Sequence, residues 1–313
     1  FNTMQVEKYI KSQWHSLAPL PQARSHTPTA VVDGKIYIFG GGGPQFRSMN
    51  ASAVYDRQVD TWREIAPMPS ARSGTLCSVV NEKAYVLGGG FKQENGQFRF
   101  LNTVEIYDVK KDSWERGPDL LMPHDYPGGI LAGHYIYVLG GHHPDATKAG
   151  PKTDPGFDFC ERLDIRTGTW EALPPLPTPR FALSAVAVDG KIWALGGVAF
   201  TPIGFNNFDL IEVYDSQTKQ WHEAKLRLPW TAAGQSNTVI DNHLITLGGY
   251  SGDGIHAKGA ICNIEKGTWH FLPDMPSPRA AAGLAVIDES LFVVGGWADD
   301  GRSPMNSFFC YDP

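Results

Sequence analysis

Along this chain apolar positions alternate with polar ones for four or five residues, end in a glycine pair, and give way to polar turn residues. Then the pattern restarts. Six such runs close at Gly40-Gly41, Gly88-Gly89, Gly140-Gly141, Gly196-Gly197, Gly248-Gly249 and Gly295-Gly296. The stretches leading into them (35–39, 83–87, 135–139, 191–195, 244–247 and 291–294) have the half-buried alternation or short apolar run of inner strands. Glycine suits the doublet because a side chain there would crowd a neighbouring strand or block a positive φ. Successive doublets lie 48, 52, 56, 52 and 47 residues apart. A tryptophan follows each of the first five, at Trp62, Trp114, Trp170, Trp221 and Trp269, and seven residues before each stands Tyr55, Tyr107, Leu163, Tyr214 or Cys262. A period near fifty residues with these marks predicts one four-stranded sheet per repeat, set radially.

The two ends predict how the array closes. Phe308-Phe309-Cys310-Tyr311 carries the tyrosine position of a sixth unit but stops before its tryptophan, and the missing piece stands at the other end as Ser12-Gln13-Trp14-His15-Ser16. Pairing the N-terminal strand with the last one completes the sixth unit and removes an open edge. The expectation is therefore an all-β, six-bladed β-propeller of four-stranded antiparallel blades. It forms one domain over residues 1–313, with blade cores at about 20–65, 68–117, 120–173, 176–224, 228–272, and 275–313 plus 10–18.

Composition narrows the partners. The net charge is −6 with no basic block, which argues against nucleic acid. No run reaches membrane-spanning length and no secretory leader precedes Phe1, although the chain begins without methionine. Cys77, Cys160, Cys262 and Cys310 fall in different repeats at unmatched offsets, as small buried hydrophobes of a reducing, cytoplasmic compartment would. Asn50-Ala51-Ser52 is the one sequon pointing the other way. His142-His143 with Asp145 invites a metal reading, but neighbours on an extended segment point to opposite sides, so neither metal nor cofactor is expected.

Aligning the repeats exposes the candidate chemistry. Sixteen residues before the first glycine of each pair stand Arg24, Arg72, His124, Arg180, Ala232 and Arg279, each at the end of a proline-bearing link between blades. That register sets four arginines and a histidine around one mouth of the central channel. The loops between second and third strands (42–49, 91–101, 142–159, 198–208, 250–256 and 297–304) open on the same face. They carry Phe98, Phe200, Tyr250 and Trp297 with Arg47, Arg99 and Arg302. Guanidinium groups grip carboxylates bidentately and aromatic faces cover apolar groups or sugar rings, so the expected site is a basic, aromatic-lined cup for an anionic ligand. The competing structural reading pairs the repeat-position arginines with Glu105, Glu161 or Glu212 inside the blades. No nucleophile motif or phosphate loop is present; His26, His124 and Asp125 are the rim groups able to act as acid or base.

Met68-Pro69-Ser70-Ala71-Arg72, Val104-Glu105-Ile106-Tyr107-Asp108 and Met275-Pro276-Ser277-Pro278-Arg279, with the doublets, resemble the kelch-repeat propeller family from about Trp14 to Tyr311. The resemblance implies a partner-recognition domain, of the kind that follows BTB or F-box modules of ubiquitin ligases, with Arg24, Arg72, Arg180 and Arg279 binding an acidic peptide or protein. Uneven blade lengths, long third- and fourth-blade loops, and Trp230-Thr231-Ala232 in place of the arginine depart from the BTB–kelch pattern. A second resemblance, to bacterial sialic acid mutarotases, implies a small anionic sugar on the arginines and a rim acid/base pair. A cytoskeletal scaffold is the third expectation.

Overall fold

The computed structural model describes residues 3–148, 153–202 and 204–313; parts of the expected third- and fourth-blade loops, at 149–152 and 203, lie outside them. Six four-stranded antiparallel sheets follow one another along the chain. The first blade is Thr29–Val32, Lys35–Gly42, Ser48–Asp56 and Thr61–Ile65, and the same meander recurs in the next four. In the sixth, Phe308–Tyr311 pairs with Trp14–Ser16, Trp14 opposite Tyr311, just as Trp62 lies opposite Tyr55 in the first blade. The ring closes by the strand exchange that the two ends predict. A short helix, Thr3–Ile10, lies against the fifth blade; Tyr9 Oη donates to the Glu289 carbonyl at 2.6 Å and its ring stacks on Tyr311. No helix among the described residues is long and apolar enough to cross a membrane.

Packing is divided among the interfaces between neighbouring blades. Between the first two, Tyr37, Phe39, Val54 and Met68 meet Ala84, Val86 and Tyr107, all buried. The repeat tryptophans act across these seams. Trp62, Trp114, Trp170, Trp221, Trp269 and Trp14 each donate their indole N–H to a carbonyl of the link before their blade, at 2.8–3.0 Å. Trp170 is buried and the other five are half-buried, and an aromatic whose polar tip is satisfied both packs and positions.

The glycine doublets take φ values between 55° and 113°, the left-handed region in which a side chain is strained. There is also no room. A Cβ on Gly196 would lie 2.5 Å from the Ala232 carbonyl, and the N–H of Gly197 donates to that same carbonyl at 2.6 Å. The equivalent bond occurs at all six seams, from Gly41, Gly89, Gly141, Gly197, Gly249 and Gly296. The doublet thus lets the next blade's entering link come within hydrogen-bond distance of the second strand.

Candidate functional site

Each link enters its blade through three residues: Arg24-Ser25-His26, Arg72-Ser73-Gly74, His124-Asp125-Tyr126, Arg180-Phe181-Ala182, Ala232-Ala233-Gly234 and Arg279-Ala280-Ala281. The third residue has positive φ every time, from 50° at His26 to 70° at Gly74. Its N–H reaches the third residue of an adjacent blade: His26 to Ala281, Tyr126 to Gly74, Ala182 to Tyr126, Gly234 to Ala182 and Ala281 to Gly234, at 2.8–3.0 Å. These five bonds run around the channel, and the first side chain of each triplet turns into its blade, buried.

That turn corrects the expected arginine cup. Arg24, Arg72, His124, Arg180 and Arg279 are at most 2% exposed. Each holds the carbonyl of the first doublet glycine in its own blade, Gly40, Gly88, Gly140, Gly196 and Gly295 respectively, at 2.6–3.0 Å. Arg72 pairs with Glu105 at 3.2 Å, His124 with Glu161 at 2.8 Å and Arg180 with Glu212 at 2.5 Å, while Arg279 lies 4.4 Å over the Phe309 ring. Their hydrogen bonds are made inside the blades, and burial leaves no open face for a ligand. The pairing expected as the structural alternative holds for these three carboxylates.

What does face the channel is the rest of the triplet, and only three blades carry chemistry there. Ser25, His26, Ser73, Gly74, Asp125 and Tyr126 border a cavity of about 420 Å³. Phe46, Phe98, Phe100 and Trp297 give it aromatic walls, His142 completes its lining, and Lys92 and Lys148 contribute the cationic groups. Trp297 meets Phe46 and His26 edge-on, at 5.6 and 4.4 Å between ring centres.

The polar side of this cavity is a short chain of titratable groups. Asp154, fully buried, accepts from the N–H groups of His143 and Gly156 at 3.0 Å and faces His142 Nδ1 at 2.6 Å. His142 Nε2 in turn lies 3.8 Å from Asp125 Oδ2. Burial opposes charge on His142, but the hydrogen bond to Asp154 and the two carboxylates outweigh it and raise its pKa. The ring is stacked between Phe181 at 4.1 Å and Phe100 at 5.7 Å, a setting that suits an imidazolium. Burial pushes the Asp125 carboxyl up to about 6, against the pull of His142. His26 is pressed down to about 3 by burial and then by His142, and so is neutral. Perturbed acids and bases converging in a cleft mark a functional site.

The KLHDC2/KLHL20/DRC7 Kelch-repeats domain family is matched over residues 1–197 and again over 124–313, which together span the chain. The chain belongs to the kelch-repeat family. The kelch propeller is 29% identical over 213 residues to Kelch-like protein terF of Aspergillus terreus, covering 64% of this chain and 46% of that one. It is 28% identical over 222 residues to F-box/kelch-repeat protein At1g67480 of Arabidopsis thaliana, covering 70% and 53%. A third relative, Kelch repeat and BTB domain-containing protein 12 of Danio rerio, is 27% identical over 169 residues, covering 51% and 27%. The kelch propeller therefore spans from about a quarter to about half the length of these relatives. The solved structure of YjhT shares the fold, with a TM-score of 0.76 at 19% identity over 93% of this chain and 95% of that one.

Of the residues singled out from sequence, the kelch propeller brings His26, Asp125, Phe98 and Trp297 to the cavity. Arg47, Arg99 and Arg302 are exposed on the loops, Arg99 beside a shallower hollow of about 310 Å³. Phe200 and Tyr250 pack instead with Phe205, at 5.0 and 5.2 Å, over the fourth and fifth blades. Asp154 and Tyr126 were not among the sequence candidates, and His142 was weighed only as a metal ligand beside His143 and Asp145. The signal for Tyr126 lay in the two residues after the aligned arginine: polar in blades one to three, small or apolar in four to six.

Proposed function

We propose that this kelch propeller is the partner-recognition domain of a longer protein, and that it receives a segment of its partner in the cavity beside Asp125 and His142. The single observation carrying this reading is an aromatic-walled cavity of about 420 Å³ at the channel mouth, built from the links of three blades and the loops above them. Aromatic walls around a recess are the usual seat of an anchoring side chain. Lys92 and Lys148 at the cavity, with Arg47 and Arg99 exposed nearby, favour an acidic residue next to that anchor. The expected preference for an anionic partner is thereby kept, carried by these side chains and not by the buried arginines. The F-box and BTB names of two relatives support an adaptor of a ubiquitin ligase as the wider role.

The test is affinity capture with the propeller beside a folded Trp297→Ala/Phe100→Ala variant, read by mass spectrometry. Partners retained by the first and lost by the second are expected. An identical set from both would overturn the reading.

The Asp125–His142 pair favours a second reading, proton shuttling on a small sugar. Anomer exchange of N-acetylneuraminate, followed by NMR with wild type and Asp125→Asn, checks it: exchange at the uncatalysed rate with wild type removes it.

A further inference from the structure

We propose that the group this cavity recognises is a hydroxylated aromatic ring, whose hydroxyl bridges His142 Nε2 and Asp125 Oδ2. The inference rests on the reading of the cavity as a recognition site and names the chemistry of its occupant.

The Asp125 carboxyl is only 13% exposed, yet it has no hydrogen bond among the described residues; its ion-pair partner, His142 Nε2, stands off at 3.8 Å. A largely covered carboxylate whose partner stays beyond hydrogen-bond distance calls for an explanation, and the surroundings are shaped to keep it where it is. A Cβ on Gly74 would come within 2.3 Å of Asp125 Oδ1 and one on Gly90 within 3.3 Å, so two glycines clear the space this carboxyl occupies. His142 cannot swing to close the gap. Its Nδ1 is fixed to Asp154 at 2.6 Å and its ring is held between Phe181 and Phe100. Both ring nitrogens face carboxylates, Nδ1 that of Asp154 and Nε2 that of Asp125, an arrangement that favours a proton on each and sets Nε2 as a donor toward Asp125.

A group placed between the two must accept from Nε2–H and donate to the carboxylate. Among common functional groups a hydroxyl does both with one atom, whereas an ether or carbonyl only accepts and an ammonium only donates. The remainder of the cavity selects what carries that hydroxyl. Phe46, Phe98, Phe100 and Trp297 offer ring faces and edges, with His26 neutral behind them, so a flat aromatic ring is favoured over a flexible polyol. The hydroxyl comes either from a tyrosine side chain of a partner or from a free phenol.

The experiment uses the 313-residue chain with p-cresol, 4-methylanisole and toluene as probes, binding followed by ligand-observed NMR titration. They share the ring and differ in whether the substituent donates and accepts, accepts only, or does neither. p-Cresol is expected to bind at least tenfold more tightly than the other two. The preference should vanish in Asp125→Ala and in His142→Phe, which keeps the stacked ring between Phe181 and Phe100. Lys111→Ala, on an exposed turn outside the cavity, should leave it unchanged. Circular dichroism identifies any variant that fails to fold, and the wild-type ranking stands without the variants. Equal affinity for all three probes, or binding of none, overturns the proposal. N-acetyl-Gly-Tyr-Gly-amide beside its Phe counterpart separates the sources. Tyrosine-selective binding points to a partner side chain, and p-cresol binding without it to a free phenol; either supports the hydroxyl bridge. Because these readouts need no partner protein, they can fail while affinity capture succeeds, and the reverse.

Discussion

Replacing Arg180 by alanine is the sharpest test of the inward-facing arginine clamp. Its guanidinium is completely buried and donates to the carbonyls of Gly196 at 2.6 Å, Thr178 at 2.8 Å and Ala194 at 3.1 Å, and to Glu212 Oε1 at 2.5 Å. Arg180→Ala leaves the Glu212 carboxylate, itself 4% exposed, with only the Thr178 hydroxyl. Breaking a buried ion pair from one side costs about 3–5 kcal/mol, because the surviving charge stays desolvated. Adding Glu212→Ala removes that stranded charge. The double variant should therefore be more stable than Arg180→Ala alone, by roughly half of the loss. Blade five already carries this solution: Ala232 and Ala260 occupy the corresponding positions and are fully buried. Arg180→Lys should recover little, since one ammonium cannot span four acceptors held by a planar fork. Urea unfolding followed by tryptophan fluorescence, applied to wild type, Arg180→Ala, Glu212→Ala and the double variant, supplies the four free energies of the cycle. A loss below about 1 kcal/mol for Arg180→Ala, or single-variant losses that simply add, would refute the clamp.

Two further outcomes follow from the ring and its cavity. The folded-state pKa of Asp125, about 6 against 3.8, is raised by burial. Its ionisation thus penalises the folded state, and stability falls as pH rises from about 4 through 6. Asp125→Asn should gain on wild type across that window, by about 3 kcal/mol at most, in urea midpoints at pH 4 and 7; a pH-independent difference would mean that the carboxyl is not desolvated. Removing residues 1–16 deletes the strand opposite Phe308–Tyr311 and the Trp14 indole bond to the Pro273 carbonyl. Thermal melting by circular dichroism should lose its single cooperative transition, and an unshifted midpoint would show that this strand does not close the ring.

The blades were legible because their marks are repeated and local. The doublet and the tryptophan make the same contacts six times, and a tyrosine recurs at its fixed offset in four blades, so periodicity alone finds them. The arginine register was equally legible, but its direction was not. Aligned position tells which residue comes nearest the channel, whereas which way its side chain points depends on its acceptors: the first doublet carbonyl sixteen residues on in every case, and a third-strand carboxylate for Arg72, His124 and Arg180. His142 escaped for another reason. Read within its own segment, it has His143 and Asp145 as neighbours, but its partners are Asp154, twelve residues on, and Asp125, from the link before the blade.

The departures from repetition therefore carry more functional information than the repeats do. Six triplets surround the channel with the same positive φ at the third residue, and five of those residues donate their N–H to a neighbouring triplet. Their side chains differ: Ser-His, Ser-Gly and Asp-Tyr stand on one half of the ring, Phe-Ala, Ala-Gly and Ala-Ala on the other. A packing role common to all blades would give all six the same chemistry, as it does for the tryptophans. Polar groups gathered on one half cost desolvation that the small residues opposite avoid, as the raised carboxyl of Asp125 shows. A charged group held beyond hydrogen-bond distance of its partner against that cost reduces the stability of the free domain, the usual compromise of a binding or catalytic residue. If Asp125→Asn both stabilises the propeller at pH 7 and abolishes the p-cresol preference, the same carboxyl opposes folding and makes recognition. Stabilisation with the preference intact would instead assign the hydroxyl's contact to His142 alone.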